Sequence, residues 1–174
     1  MTRTATVTVR RAATPADIEF ARTLFVEYAQ WLKVDLCFQD FDRELATLPG
    51  AYAPPNGRLL LAGGPDQAFG CVALRPLATS CGARISPSAG AGATRIGEVK
   101  RLYVRPANRS GGSGRLLVET LIADARAIGY AELKLDTLAW MTEARKLYAR
   151  LGFRECESYY DNPIPGTSYM VLAL

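Results

Sequence analysis

Residues Glu98-Val99-Lys100-Arg101-Leu102-Tyr103-Val104 lead into Arg105-Pro106-Ala107-Asn108-Arg109-Ser110-Gly111-Gly112-Ser113-Gly114-Arg115. The strand predicted over Ile96 to Val104 mixes apolar and charged side chains. The chain then turns through glycine into a helix. Leu116, Leu117, Leu121, Ile122 and Ala125 place an apolar face on that helix, and Gly129 closes it. The first N–H groups of such a helix lack partners and carry the positive end of its dipole. Gly111, Gly112 and Gly114 withhold side chains there, so a phosphate could approach the backbone. Arg109 and Arg115 add positive charge, and Ser110 and Ser113 complete the turn. The segment reads as a pyrophosphate cradle. The competing reading is a tight strand-to-helix turn that uses glycine for backbone freedom alone.

Working outward, Val7 to Arg11 reads as a first strand. Thr14-Pro15-Ala16-Asp17 reads as a capped helix start, followed by an apolar face from Ile18 to Leu32. A short helix is expected from Phe41 to Leu48. A hairpin is expected from Arg58 to Ala62 and Ala68 to Arg75, and a loop over 79–94. Beyond the cradle helix, Ala131 to Asp136 reads as a strand and Met141 to Leu151 as a helix closed by Gly152. Phe153 to Ser158 and Tyr169 to Leu174 read as two more strands, with a turn at Asn162-Pro163 between them. The strand-helix-strand centre favours a parallel pair.

With 174 residues, 49% of them hydrophobic, the chain suits a single globular domain over residues 1–174. No run of ~18 apolar residues is present. Met1 to Ala12 reads as part of a strand rather than a signal peptide, so a cytoplasmic protein is expected. The absence of histidine removes every Ser-His and Cys-His nucleophilic scheme. The cysteines, Cys37, Cys71, Cys81 and Cys156, form no C-x-x-C pair, so no metal site is expected. A net charge of +4, with scattered basic residues, argues against nucleic acid and would suit a small polyanion. No Lys-Ser or Lys-Thr completes a P-loop. A dinucleotide fingerprint would take Gly112 and Gly114 as its first glycines and Asp136 as its acid, but its third glycine position is Leu117.

Arg109-Ser-Gly-Gly112-Ser-Gly114 resembles the coenzyme A-binding motif of the GCN5-related N-acetyltransferases, [Q/R]-x-x-G-x-[G/A]. The resemblance extends upstream through Glu98 to Pro106. Downstream it takes in Leu133 to Leu138 and Ala144 to Phe153. It implies an α/β (α+β) fold: a mixed, mostly antiparallel sheet of six or seven strands with a central parallel pair and helices on both faces. It implies acetyl-coenzyme A as cosubstrate, its pantetheine arm on the backbone of Leu102, Tyr103 and Val104 and its pyrophosphate on Arg109 to Arg115. It also implies that Tyr148 is the general acid for the leaving thiolate.

Proton accounting then sets the chemistry. An alkylammonium with a pKa of roughly 10 must lose a proton before it attacks, and a thiolate of pKa about 8.5 must gain one. Glu98, at the start of the strand that leads to the thioester, is the candidate base, acting through water. The acceptor pocket is expected from Tyr28, Trp31 and Phe38 on one side. Tyr159, Tyr160, Asp161 and Asn162 would form the other, with Asp161 a candidate holder of a cationic amine. A small-molecule amine or amino acid is the first expected acceptor, with no nucleic-acid or membrane partner. Oligomeric state, including a homodimer, is left open. A protein lysine or N-terminus is the second choice of acceptor. A non-catalytic acyl-coenzyme A sensor on the same fold is the reading from a different class.

Overall fold

The computed structural model describes residues 7–36, 39–77 and 95–174. The segment read as a loop, 79–94, lies outside them, as do Cys37, Phe38 and Cys81. One seven-stranded sheet runs in the order β1-β2-β3-β4-β5-β7-β6. Its strands are β1 (Val9–Arg11), β2 (Arg58–Ala62), β3 (Gly70–Pro76), β4 (Ile96–Val104), β5 (Glu132–Thr137), β6 (Arg154–Cys156) and β7 (Ser168–Ala173). The described residues also form four α-helices: α1 (Pro15–Leu32), α2 (Phe41–Thr47), α3 (Ser113–Ile128) and α4 (Thr142–Arg150). Among the described residues only β4 and β5 pair in parallel, and α3 makes the crossover between them. The expected mixed sheet and its parallel pair are therefore present.

Local chemistry accounts for the ends of these elements. Thr14 caps α1 by accepting a hydrogen bond from the Asp17 N–H, and the Asp17 carboxylate accepts in return from the Thr14 N–H, a reciprocal capping box. Asp17 also pairs with Arg10, which fixes the entry of α1 onto β1. At the other end of the crossover, Gly129 takes φ 91° and returns its N–H to Ala125 and Arg126.

Period-two alternation divides the sheet into two cores. Leu60, Val72, Leu74, Val99, Leu133 and Leu135 face α3 and α4. Leu59, Leu61, Cys71, Ala73 and Tyr103 face α1. On α3 the buried stripe is Leu117, Val118, Leu121, Ile122 and Ala125. Val118 takes the buried place expected of Leu116, which is only half-buried. Asp124 is buried on the same helix because Arg11 and Arg58 pair with it.

Candidate active site

The parallel pairing of β4 with β5 is short. Ile96, Gly97 and Glu98 lie against Glu132, Leu133 and Lys134, and the strands then diverge. A bulge accompanies the divergence. Cys71 pairs with Tyr103 and Ala73 with Lys100, so Arg101 and Leu102 together oppose Val72. Such a bulge ends pairing and re-aims the strand. Arg101 takes φ 59°, an unusual value for a residue with a Cβ, and the surrounding contacts hold it there. Its buried guanidinium donates to both Glu44 oxygens, at 2.9 and 2.6 Å, and lies 5.1 Å from the Phe41 ring centre. Its carbonyl accepts from the Cys71 thiol at 3.3 Å.

The splay opens on one face into a groove of about 510 Å³ between the start of α3 and α4. Leu102 and Val104 line it, as do Gly112, Gly114, Arg115 and Arg150. Gly112 takes φ 75°, and a Cβ built on it would meet nothing within 4 Å, so the backbone there faces open space. The expected cradle residues divide by role. Pro106–Gly111 forms a 3-10 turn that carries Ser110 and Gly111 to the start of the helix. A Cβ on Gly111 would meet Val7 and Ser113, outside the groove. The buried Ser113 hydroxyl donates to the Asn108 carbonyl and so braces the turn. Arg109 donates from Nε to the Val104 carbonyl at 2.8 Å and stacks over the Trp31 ring at 4.6 Å. Arg115 is exposed and shares its charge with Glu119. Tyr103 points to the opposite face, where it packs against α1, so only its backbone can serve the groove.

At the splay itself a small cavity is lined by Tyr28, Lys100, Leu102, Asp136, Met141 and Tyr148, among others. Tyr148 is buried on α4 and packs edge-on against Phe153. Burial raises the phenol well above its ordinary value, and Tyr28 and Asp136 add to the shift. The group is therefore a neutral phenol at physiological pH.

A polar cavity of about 520 Å³ adjoins the splay, lined by Arg75, Glu98, Lys100, Tyr159 and Tyr160, with Gln39 at its edge. Glu98 is only 2% exposed and fully engaged. Arg75 donates to it at 2.7 Å and the Tyr159 hydroxyl at 3.2 Å, and Lys100 Nζ lies 3.7 Å away. It is thus a buried, partnered carboxylate rather than a solvated one at a strand end. Lys100 pairs more closely with Asp136, at 2.9 Å. Burial works to raise the Asp136 carboxyl, but Lys100 and a hydrogen bond from Tyr160 outweigh it and hold it low. Asn162 donates to the Tyr160 hydroxyl at 2.8 Å and accepts from the Ile164 N–H, so it sets the turn and positions Tyr160. Asp161 is exposed.

Of the residues expected to bind the acceptor, the structure brings Tyr28 to the splay and Tyr160 to the polar cavity. Trp31 instead lines the groove, under Arg109 and edge-on to Trp140 at 5.2 Å. Sequence reasoning passed over Arg75, Lys100 and Trp140, and considered Asp136 only as the acid of a dinucleotide fingerprint. One signal was available: Glu98 with Lys100, and Lys134 with Asp136, place charges two residues apart on strands predicted to be central. Among the described residues, no group of three or more His, Cys, Asp or Glu could hold a metal ion, and no helix is long and apolar enough to cross a membrane.

The family model described as Acetyltransferase (GNAT) family matches residues 19–153, which takes in the splayed strands, the glycine turn and Tyr148. The chain belongs to this family. An uncharacterized N-acetyltransferase of Schizosaccharomyces pombe is 37% identical over 175 residues, covering 100% of this chain and 99% of its own length. An acetyltransferase from Streptococcus agalactiae shares the GNAT fold with a TM-score of 0.71 at 17% identity, covering 98% of this chain and 99% of its own. A GNAT acetyltransferase from Elizabethkingia anophelis, solved with acetyl-CoA bound, superposes with a TM-score of 0.60 at 20% identity, covering 98% and 99%.

Proposed function

We propose that this GNAT protein moves an acetyl group from acetyl-coenzyme A to the primary amine of a small molecule by direct attack. The observation that carries the reading is the splay. Leu102 and Met141 line both the splay and the glycine-turn groove, while Gln39 and Lys100 line both the splay and the polar cavity. A donor entering from one face and an acceptor from the other would meet beside Tyr148. The acetyl-CoA held by the Elizabethkingia relative supports the assignment of the donor.

The groove suits the donor's parts. The N–H groups at the start of α3, with Arg115 beside them, would hold the pyrophosphate. Beyond the bulge, the backbone of Leu102 to Val104 has lost its partner strand β5; Arg109 occupies the Val104 carbonyl, and the remaining groups on that edge would bind the pantetheine arm. For transfer, the amine nitrogen bonds to the acetyl carbon and the carbon–sulfur bond breaks. The ammonium first loses one proton to Glu98 through a chain of water; as the amide forms the nitrogen's second proton leaves to solvent, and the thiolate takes the Tyr148 proton, which solvent then returns. A low-dielectric site raises the proton affinity of the developing thiolate as well as that of the phenol, so the two remain matched. A covalent acyl-cysteine is disfavoured at Cys71, since burial drives its thiol upward and away from thiolate. Cys156 lies on β6, away from the splay.

The test is steady-state release of coenzyme A thiol over an amine panel, with acetylated products read by mass. Release that depends on an amine supports the reading. Acetyl-coenzyme A binding without release over the whole panel would favour a sensor.

A further inference from the structure

The polar cavity contains more than an amine requires. Its charges balance in pairs: Lys100 bridges Glu98 and Asp136, and Arg75 holds the second oxygen of Glu98. Arg75 uses only Nε for that contact, and no hydrogen bond among the described residues engages its two terminal nitrogens. The side chain is 31% exposed and lines the polar cavity. A guanidinium fork presented to a cavity matches a carboxylate in two parallel hydrogen bonds. A second atom is also unmatched. Among the described residues Gln39 Oε1 is buried without a partner, on a side chain that lines both the splay and the polar cavity. A buried carbonyl oxygen in that position calls for an N–H donor.

Spacing sets how far apart the acceptor's two groups must lie. Arg75 pairs with Glu98 in the β3–β4 register, and the transfer position lies beside Leu102. The bulge absorbs one residue between Glu98 and Leu102, which leaves about 10 Å of strand at ~3.3 Å per paired residue. An acceptor with several bonds between its carboxylate and its amine matches that interval better than one that carries both groups on the same carbon.

The geometry points to an acceptor that carries a carboxylate and, several bonds away, the primary amine to be acetylated, as in the side-chain amine of a diaminocarboxylic acid. Arg75 takes the carboxylate, Gln39 Oε1 accepts from the amine end, and the amine reaches the thioester past Lys100 and Asp136. This assignment rests on the acetyl-transfer reading above and names its acceptor class.

The experiment compares lysine and ornithine with cadaverine and putrescine, their decarboxylated counterparts, by thiol release and product mass. The native protein should prefer each amino acid by tenfold or more in kcat/KM, mainly through KM, and should acetylate the distal amine. Arg75→Gln should reduce that preference to about one, and Arg75→Lys should restore part of it. The ratio isolates carboxylate recognition, because any general damage from losing the Glu98 contact falls on both substrates of a pair. Equal use of both members by the native protein would overturn the assignment and leave acetyl transfer intact. Acetylation of the α-amine, or a preference that survives Arg75→Gln, would do the same. Thiol release with no amine of any kind would overturn both.

Discussion

Replacing Gly112 by aspartate or by asparagine separates the electrostatics of the glycine turn from its shape. The two side chains are nearly the same size, and a Cβ at this position meets nothing within 4 Å, so neither should clash with the fold. The cost to folding comes from φ 75°, which disfavours an ordinary residue by roughly 1–2 kcal/mol and Asn or Asp by less. At ~1 kcal/mol, a chain of this length should lose only about 2–4 °C in Tm. Binding is another matter. The aspartate carboxylate would stand about 5 Å from a pyrophosphate carrying two charges. Between the dielectric of water and that of a protein surface, the repulsion is roughly 2–7 kcal/mol. That corresponds to a loss of coenzyme A affinity of roughly 30-fold at the least, and up to about 10⁵-fold, for Gly112→Asp relative to Gly112→Asn. Titration calorimetry at two salt concentrations measures it, and the gap should narrow at high salt as screening shortens the interaction. Pantetheine, which lacks the phosphates, should bind both variants alike. Equal coenzyme A affinity in the two variants, with native folding confirmed, would refute the cradle. A parallel loss of pantetheine binding would place the damage elsewhere.

Three further outcomes follow from the site. Tyr148→Phe keeps the ring packed on Phe153 and should lower turnover about 10²-fold or more, with coenzyme A affinity little changed; equal turnover in rate-limiting chemistry would assign the proton to water. Glu44→Gln removes the charge that pairs with Arg101, whose side chain is 3% exposed, and should cost about 3–5 kcal/mol in urea unfolding; a loss under 1 kcal/mol would show that the bulge does not need the pair. Burial works to raise Glu44, but Arg101 outweighs it, so its folded pKa lies below the unfolded one. Glu44 therefore contributes stability above the ordinary carboxylate range that is lost as pH falls through its folded value. The stability gap between native protein and Glu44→Gln should be constant near pH 7 and shrink below about pH 4, and a gap that widens in acid would reverse the assigned sign.

Much of this protein is legible in the order of its residues. Thr14, Pro15 and Asp17 specify a helix start because capping acts within one turn, and the structure closes that capping box. Gly112 and Gly129 mark positive-φ positions at the two ends of α3 because only local sterics decide them. Alternation with period two and recurrence with period near four separate strands from helices, and the glycine turn with its downstream Tyr148 segment identifies the family. Tertiary structure alone decided which charges meet. Arg101 finds Glu44 across 57 positions, Arg75 finds Glu98 through the β3–β4 register, and Lys100 finds Asp136 across the opening between two parallel strands. Arg109, read as a phosphate ligand, stacks on Trp31 from a helix far away in the chain. These contacts depend on strand register, on a one-residue bulge and on where two strands part. Those features arise from the packing of the whole sheet, so neighbouring residues in the chain do not encode them.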